Sequence, residues 1–441
     1  MQEVDLIITG AKALLLDSQN TLLDRAAVVS NADQIVAVGQ SDQILKKYKA
    51  KKMIAADHSL IMPGFVNCHT HAAMTCFRGI ADDLELMDWL NNYIFPAEAK
   101  NVNPELAYWG SLLGAAEMIK SGTTTFCDMY IFEDETARAA KVAGIRCLIG
   151  EVLFDFPSPN FKTPEEGLAC TKMLLEKWKG DSLVNIIIEP HALYTCSKPL
   201  LTEVKKMAED YHVPIGLHLL ENAAEKKQLE EKFGKGAVSF LKDIGYLDEK
   251  LIAFHCVYFS DEDMKMFAEH GCKISHNPAS NMKLASGVAP VPEMLKAGIT
   301  VGLGTDGCAS NNNLDMIKEM STAAKLHKVT RLDPTVLDAQ TVVRMATIDG
   351  AKALGMDRKI GSLEAGKKAD IILIDLNKPH LTPLYNEYSH LAYAASGADV
   401  DTVIINGKVV MENRRLLTIN EEEVMSKVRE IAQKVKESLR K

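Results

Sequence analysis

The stretch whose residue types and spacing point most directly to chemistry is Phe65-Val66-Asn67-Cys68-His69-Thr70-His71. It follows Pro63-Gly64 and reads as a short buried strand that ends in two histidines one residue apart. Residues i and i+2 of a strand share one face, so His69 and His71 aim both imidazoles at one point. Neutral imidazole is a good ligand for zinc and similar metals. Two polar residues at a strand end explain an isolated His-x-His equally well. Its meaning therefore depends on what the rest of the chain places beside it.

Further polar residues follow later apolar runs: Glu189-Pro190-His191, His218 with Glu221 just beyond, His255, His276-Asn277-Pro278 and Thr305-Asp306. Each has a plain structural explanation, a hydrogen-bonded core histidine or, for Asp306, a turn former. Yet six of the twelve histidines share this position, and repulsion between charged imidazoles would disfavour such crowding without a metal. His69, His71, His218 and Asp306 supply three nitrogens and one carboxylate, a mononuclear zinc shell with a position left for water. Zinc lowers the pKa of its water to roughly 7. Fe2+ would serve the same Lewis-acid role, and the ligand set does not exclude it. A bridged two-metal site usually needs another anionic ligand, but Asn185-Ile186-Ile187-Ile188-Glu189-Pro190-His191 offers no lysine to carry one. One metal ion per chain is the expectation.

Eight apolar runs must position these groups. They are Gly64 to Cys68, Thr123 to Cys127, Ile145 to Leu153, Val184 to Glu189, Val213 to Leu219, Leu251 to His255, Cys272 to Ser275 and Thr300 to Gly304. Amphipathic stretches such as Pro104 to Lys120, Lys198 to Tyr211 and Asp261 to His270 separate them, which predicts an α/β fold with parallel strands. Eight such units suggest a (β/α)8 TIM barrel, whose catalytic groups sit at the C-terminal strand ends. A doubly wound open sheet is the alternative, but no Gly-x-Gly-x-x-Gly follows the first strand. Short β-like runs at Asp5 to Ile8, Ala26 to Val29 and Gln34 to Val38 predict a small antiparallel unit before the barrel. After a helical pattern over Thr335 to Leu354, Ala369 to Ile374 and Val400 to Ile405 read as strands, and Asn420 to Lys441 as a charged amphipathic helix. The expected domains are residues 60–357 for the barrel, with residues 1–59 and 358–441 joining in a β-sandwich plus terminal helix.

Composition sets the bounds. The 441 residues are 47% hydrophobic and 25% charged, as in soluble globular proteins. A formal net charge of −9 with no basic run argues against nucleic acid as a partner. No apolar run approaches the ~18 residues of a membrane helix, and no signal-like segment opens the chain. Nine dispersed cysteines without Cys-x-x-Cys fit reduced thiols and a cytoplasmic location, with Cys68 as buried filler rather than a nucleophile. The expected partners are a small-molecule substrate and further copies of the chain in a homo-oligomer.

The residues over Pro63 to His71, His218-Leu219-Leu220-Glu221, His276 to Asn281, Gly304-Thr305-Asp306, Ala346 to Ala351 and Gly361 to Asp370 resemble the amidohydrolase superfamily over nearly the whole chain. Arg78-Gly79, Asp88-Trp89-Leu90, Phe95-Pro96-Ala97-Glu98 and Glu189-Pro190-His191 are most similar to the 5-methylthioadenosine/S-adenosylhomocysteine deaminases. Triazine, guanine and pterin aminohydrolases share much of this pattern. The resemblance implies hydrolytic deamination at C6 of an adenosine-type nucleoside by hydroxide that the metal makes available. Asp306 would accept the proton of the attacking water, and His255 would polarise that water. Glu221, on a loop past His218, would protonate the ring nitrogen and then assist ammonia. Glu98 would accept ribose hydroxyls, His191 would contact the nucleoside, and Trp89 would offer a flat face to the base or simply pack. His276 and Asn281 are expected in the pocket wall. A non-catalytic assembly protein on the same fold would typically have lost ligands that are present here. A serine hydrolase lacks its Gly-x-Ser-x-Gly elbow. The family's arginine grip on the amino-acid carboxylate of S-adenosylhomocysteine has no counterpart in Phe154 to Thr163, where Lys162 is the only cation. Phe154, Phe156 and Phe161 instead predict an apolar surface and a preference for small uncharged 5′ groups.

Overall fold

The computed structural model describes residues 1–439. Its local order follows from caps. Asn103 accepts the Leu106 N–H at 3.0 Å ahead of the helix Pro104–Lys120, and Pro104 occupies the first turn, where its missing N–H costs nothing. Ser197 caps Lys198–Tyr211 in the same way, and Ser260 with Asp263 forms a capping box before Asp261–His270. All three helices span the residues that the sequence pattern delimits.

The eight apolar runs form parallel strands in two sheets. One sheet places Phe65–Thr70, Thr123–Tyr130, Arg146–Leu153 and Val184–Ile186 side by side, with the short strand Glu189–Pro190 also paired to Arg146–Leu153. The other runs Ile215–Leu219, Leu251–His255, Lys273–His276 and Thr300–Leu303 in order. Bridges Ile188 to Ile215 and Ala192 to His218 link the two at one side. At the other side, the Asp306 N–H donates to His69 O at 2.9 Å. The fourth run is interrupted between Ile186 and Glu189, where the chain leaves one neighbour for the next.

Both chain ends build one eight-stranded sheet. Its centre is the long strand Tyr48–Pro63, which pairs with Gln2–Leu14 on one side and Ile371–Asp375 on the other. The pairing of Gln2–Leu14 with Tyr48–Pro63 is parallel, so the N-terminal unit is not wholly antiparallel as its short runs suggest. The helix Ser41–Lys47 supplies the crossover that a parallel pair needs. A buried ion pair ties this sheet to the strands that carry the site. Arg146 Nε and Nη2 donate to the two Asp370 oxygens at 2.9 and 3.1 Å. The pattern over Thr335 to Leu354 resolves into two helices, Ala339–Met345 and Ile348–Ala353. They break at Thr347, whose hydroxyl donates back to Val343 O at 2.6 Å. The terminal helix is Glu421–Leu439, with Asn420 just ahead of it, and residues 440–441 of the predicted segment lie outside the described residues.

No described helix is long and apolar enough to cross a membrane. All nine cysteines are free thiols, and Cys68 is fully buried between the sheet and Gly350.

Candidate active site

The C-terminal ends of the parallel strands converge as the spacing predicts. Phe65–Thr70 presents His69, and His71 follows at its end. Ile215–Leu219 presents His218, and Leu251–His255 ends on His255. Asp306 stands three residues past Thr300–Leu303. It adopts a left-handed backbone, φ 61°, and His255 does the same at φ 69°, which swings both side chains off their strand axes.

Two overlapping trios have one nitrogen or oxygen each within 4.8 Å of one another: His69 with His71 and Asp306, and His69 with His218 and His255. His71 Nε2 and His69 Nε2 approach Asp306 Oδ1 at 3.2 and 3.6 Å, and His255 Nε2 lies 3.9 Å from Asp306 Oδ2. Hydrogen bonds fix which nitrogen faces the centre. His71 Nδ1–H donates to Met129 O, and His218 Nδ1–H donates to His191 O at 2.9 Å, so each turns Nε2 toward the centre. His69 is fully buried, stacked on Phe254 with centroids 4.0 Å apart, and neither of its nitrogens has a protein partner. A buried imidazole with no partner is costly unless something absent from the polypeptide engages it. Burial would raise the Asp306 carboxyl, but the hydrogen bond and charge of His71 hold it well below its ordinary value. An ionised carboxylate and three imidazoles gathered on one point fit a divalent cation, which would take the place of the His71 proton.

Glu221 reaches the same space by a turn. Leu220 adopts φ 53°, ending the strand, and Glu221 lies buried with Oε1 3.8 Å from His255 Nδ1. Burial pushes its carboxyl up, against the charge of His255. Glu225 holds the turn: its two oxygens accept the N–H groups of Leu220 at 2.9 Å and Glu221 at 2.7 Å. His255 Nδ1–H donates to Asn281 Oδ1 at 2.7 Å, and Ser280 Oγ donates to Asp306 Oδ2 at 2.6 Å. Two neighbours in the short helix Pro278–Lys283 thus orient two groups of the centre.

A cavity opens over these groups. Trp89, Glu98, Tyr130, Phe154, His191 and Glu221 share its wall with His71, His218, His255 and Asp306, and among the described residues no lysine or arginine lines it. Burial pushes Glu98 up to about 7, opposed by the hydrogen bond that Tyr130 donates at 2.7 Å. Burial also pushes His191 down to about 3, so it is a neutral hydrogen-bonding group. The Trp89 indole N–H donates to Ala81 O at 3.1 Å, which leaves its ring for packing against the cavity. Phe154 lines the wall and stacks on Phe156, centroids 4.7 Å apart, whereas Phe161 is buried in the core and Lys162 is exposed outside the cavity.

His276 does not line this cavity. It is fully buried, with Nε2 3.1 Å from His327 Nε2. Asn281 touches His255 rather than open space. Tyr130 and Glu225 escaped the sequence reading. Glu225 carried a signal, since Asn222-x-x-Glu225 is a helix-start pattern, and Asn222 does accept the Glu225 N–H at 2.9 Å. Tyr130 carried none: it lies three residues past the second run, in the part of the strand Thr123–Tyr130 that the run did not include.

Residues 60–410 match the Amidohydrolase family. The chain is 64% identical over 440 residues to 5-methylthioadenosine/S-adenosylhomocysteine deaminase 1 of Syntrophus aciditrophicus, covering 100% of this chain and 99% of that protein. It is 46% identical over 433 residues to the 5′-deoxyadenosine deaminase of Methanosarcina acetivorans, covering 98% of each. Among solved structures, an adenosine deaminase from Xanthomonas campestris with bound zinc superposes with a TM-score of 0.97 at 35% identity, covering 99% of both chains. With a family match over most of its length and relatives this similar end to end, the chain belongs to the amidohydrolase family.

Proposed function

We propose that this chain hydrolyses the 6-amino group of adenosine-type nucleosides, namely 5′-methylthioadenosine, S-adenosylhomocysteine, 5′-deoxyadenosine or adenosine, to the inosine analogue and ammonia. The observation that carries the reading is the convergence of His69, His71, His218 and Asp306 with His255 and Glu221 under a cavity that also holds Glu98 and His191. The deaminase names of the full-length relatives agree with it. In this reading His69, His71, His218 and Asp306 hold one metal ion per chain, zinc or Fe2+. When bound there, such an ion supplies Lewis acidity that makes hydroxide available near neutral pH.

The chain's own groups do the rest. Asp306 accepts the proton of the attacking water, and His255, aimed by Asn281, orients that water. Glu221 is protonated readily because it is buried, so it can deliver a proton to the purine ring nitrogen. The carboxylate left behind takes the proton of the new C6 hydroxyl and passes it to the amino group, which leaves as ammonia as the C6 carbonyl forms, and the proton on Asp306 returns to Glu221. Glu98 accepts sugar hydroxyls, neutral His191 hydrogen-bonds the nucleoside, and Trp89 packs against the base.

The two parallel sheets are read as one (β/α)8 barrel, supported by the bridges at Ile188 and Ala192 and by the bond from Asp306 N to His69 O. The domain limits are put at 59/60 and 357/358, with the eight-stranded sheet of both chain ends read as folding over into a β-sandwich beside the barrel. The reading includes a cytoplasmic homo-oligomer: the nine free thiols support a reducing compartment, and light scattering tests the assembly. Ammonia release from a panel of purine nucleosides and free bases tests the function. Turnover confined to adenosine-type nucleosides is expected. Turnover of guanine or a pterin in preference to any adenosine nucleoside would refute the assignment. Metal analysis of active protein should give about one ion per chain, and full activity in verified metal-free protein would overturn the metal's role.

A further inference from the structure

Tyr130 ends the strand Thr123–Tyr130 and is buried, with its hydroxyl directed at a carboxylate on another element. That hydroxyl donates to Glu98 Oε1 at 2.7 Å, across from the helix Phe95–Asn101. Among the described residues no other group donates to the Glu98 carboxylate, and no lysine or arginine lines the cavity. Glu98 is itself only 7% exposed, so its charge rests on one neutral donor. The same bond has a geometric consequence. It occupies Oε1 and restrains the carboxylate, which leaves Oε2 of this cavity-lining residue as the free acceptor.

We propose that Tyr130 is a positioning residue for sugar recognition: its hydroxyl holds Glu98 as an oriented acceptor, so that the enzyme distinguishes nucleosides carrying the 2′,3′-diol from those that lack it. The inference rests on the reading of Glu98 as the sugar acceptor. A phenylalanine at position 130 would keep the ring against the cavity and remove only the hydroxyl. Glu98 would then lose its one donor, and a buried carboxylate without a partner takes up a proton or turns away. A protonated carboxyl offers an O–H where the diol needs an acceptor. The loss therefore falls on diol-bearing substrates, while the groups that attack C6 stay in place.

The test compares adenosine with 2′,3′-dideoxyadenosine in the metal-loaded wild type, in Tyr130→Phe, in Glu98→Gln and in the double variant. Tyr130→Phe should lower kcat/KM for adenosine by roughly tenfold or more, mainly through KM, the scale of one hydrogen bond to a charged group. The loss for the dideoxy compound should stay below about threefold. In the Glu98→Gln background the same change should add little. Equal losses on both substrates would show a merely structural role and overturn the inference, as would no loss on either. If Glu98→Gln leaves the preference for the diol intact, the sugar role of Glu98 itself fails, which is a separate outcome. Metal content and melting temperature are measured in parallel. If Tyr130→Phe does not fold, Tyr130→His is used, whose ring N–H can still donate to Glu98. Retention of part of the diol preference there supports the inference, and its complete loss in folded protein overturns it.

Discussion

Glu225 offers the sharpest test of how the site is held. Its carboxylate is 2% exposed and spends both oxygens on the backbone of the turn that aims Glu221. Glu225→Ala orphans the N–H groups of Leu220 and Glu221 where water has little access. Leaving a buried donor unpaired costs roughly 1–3 kcal/mol, so two should cost roughly 2–6 kcal/mol of stability. Glu225→Gln is the milder change: it keeps the shape and one acceptor but sets an NH2 against the other N–H. About half the stability loss is expected. The effect on rate is different in kind. Leu220 sits in the left-handed region, so relaxing the clamp lets the turn reopen and Glu221 drift. A displacement of about 1 Å in a reacting group costs roughly 100-fold in rate. We expect Glu225→Gln to lower kcat by ~10- to 100-fold with KM within about threefold. Bound metal should be unchanged, since His218 keeps its own bond to His191 O. Steady-state kinetics, metal analysis and thermal melts read these separately. A Gln variant with wild-type kcat would show that the turn holds without its clamp, and the reasoning would be wrong.

Three further outcomes are expected. Glu221→Gln keeps shape but cannot carry a proton, so kcat should fall at least ~100-fold with metal content intact; near-normal turnover would assign the proton to another group. Because the cavity wall bears Phe154 and, among the described residues, no lysine or arginine, 5′-methylthioadenosine, 5′-deoxyadenosine or adenosine should exceed S-adenosylhomocysteine in kcat/KM, and a competition assay in which S-adenosylhomocysteine is consumed first would refute this. Burial holds His327 neutral, its pKa pushed from 6.5 down to about 4, so folding favours the uncharged ring. The contribution is then complete above pH 6.5 and is lost as the pH falls from 6.5 toward 4, about 2 kcal/mol of it by pH 5. Melting curves between pH 7.5 and 5 should show this, and His327→Gln should flatten the dependence; an equally steep decline in the variant would place its origin elsewhere.

Much of this protein is determined locally. A strand alternates faces, so His69 and His71 declare a shared target without any knowledge of the fold. Caps such as Asn103, Ser197 and Ser260 start helices by contacts within three residues, which is why their bounds are legible. The gathering of strand-end histidines likewise needs only the rule that parallel strands present their ends together. Other features depend on groups far apart in sequence or on single backbone angles. The parallel pairing of Gln2–Leu14 with Tyr48–Pro63 depends on where a short helix returns the chain. His276 looks like its neighbours at strand ends, yet His327, fifty-one residues later, draws it behind the wall. Tyr130 becomes a partner of Glu98 only because a separate helix brings the carboxylate across. The left-handed turns at Leu220, His255 and Asp306 aim three groups of the site; Asp and His only tolerate that conformation better than most residues, and Leu220 gives no sign of it. Residue identity and spacing therefore determined which chemistry is available, because ligand type and face are local properties. Only the tertiary structure decided the direction in which each group points, because that is set by long-range hydrogen bonds and by backbone conformations that packing imposes.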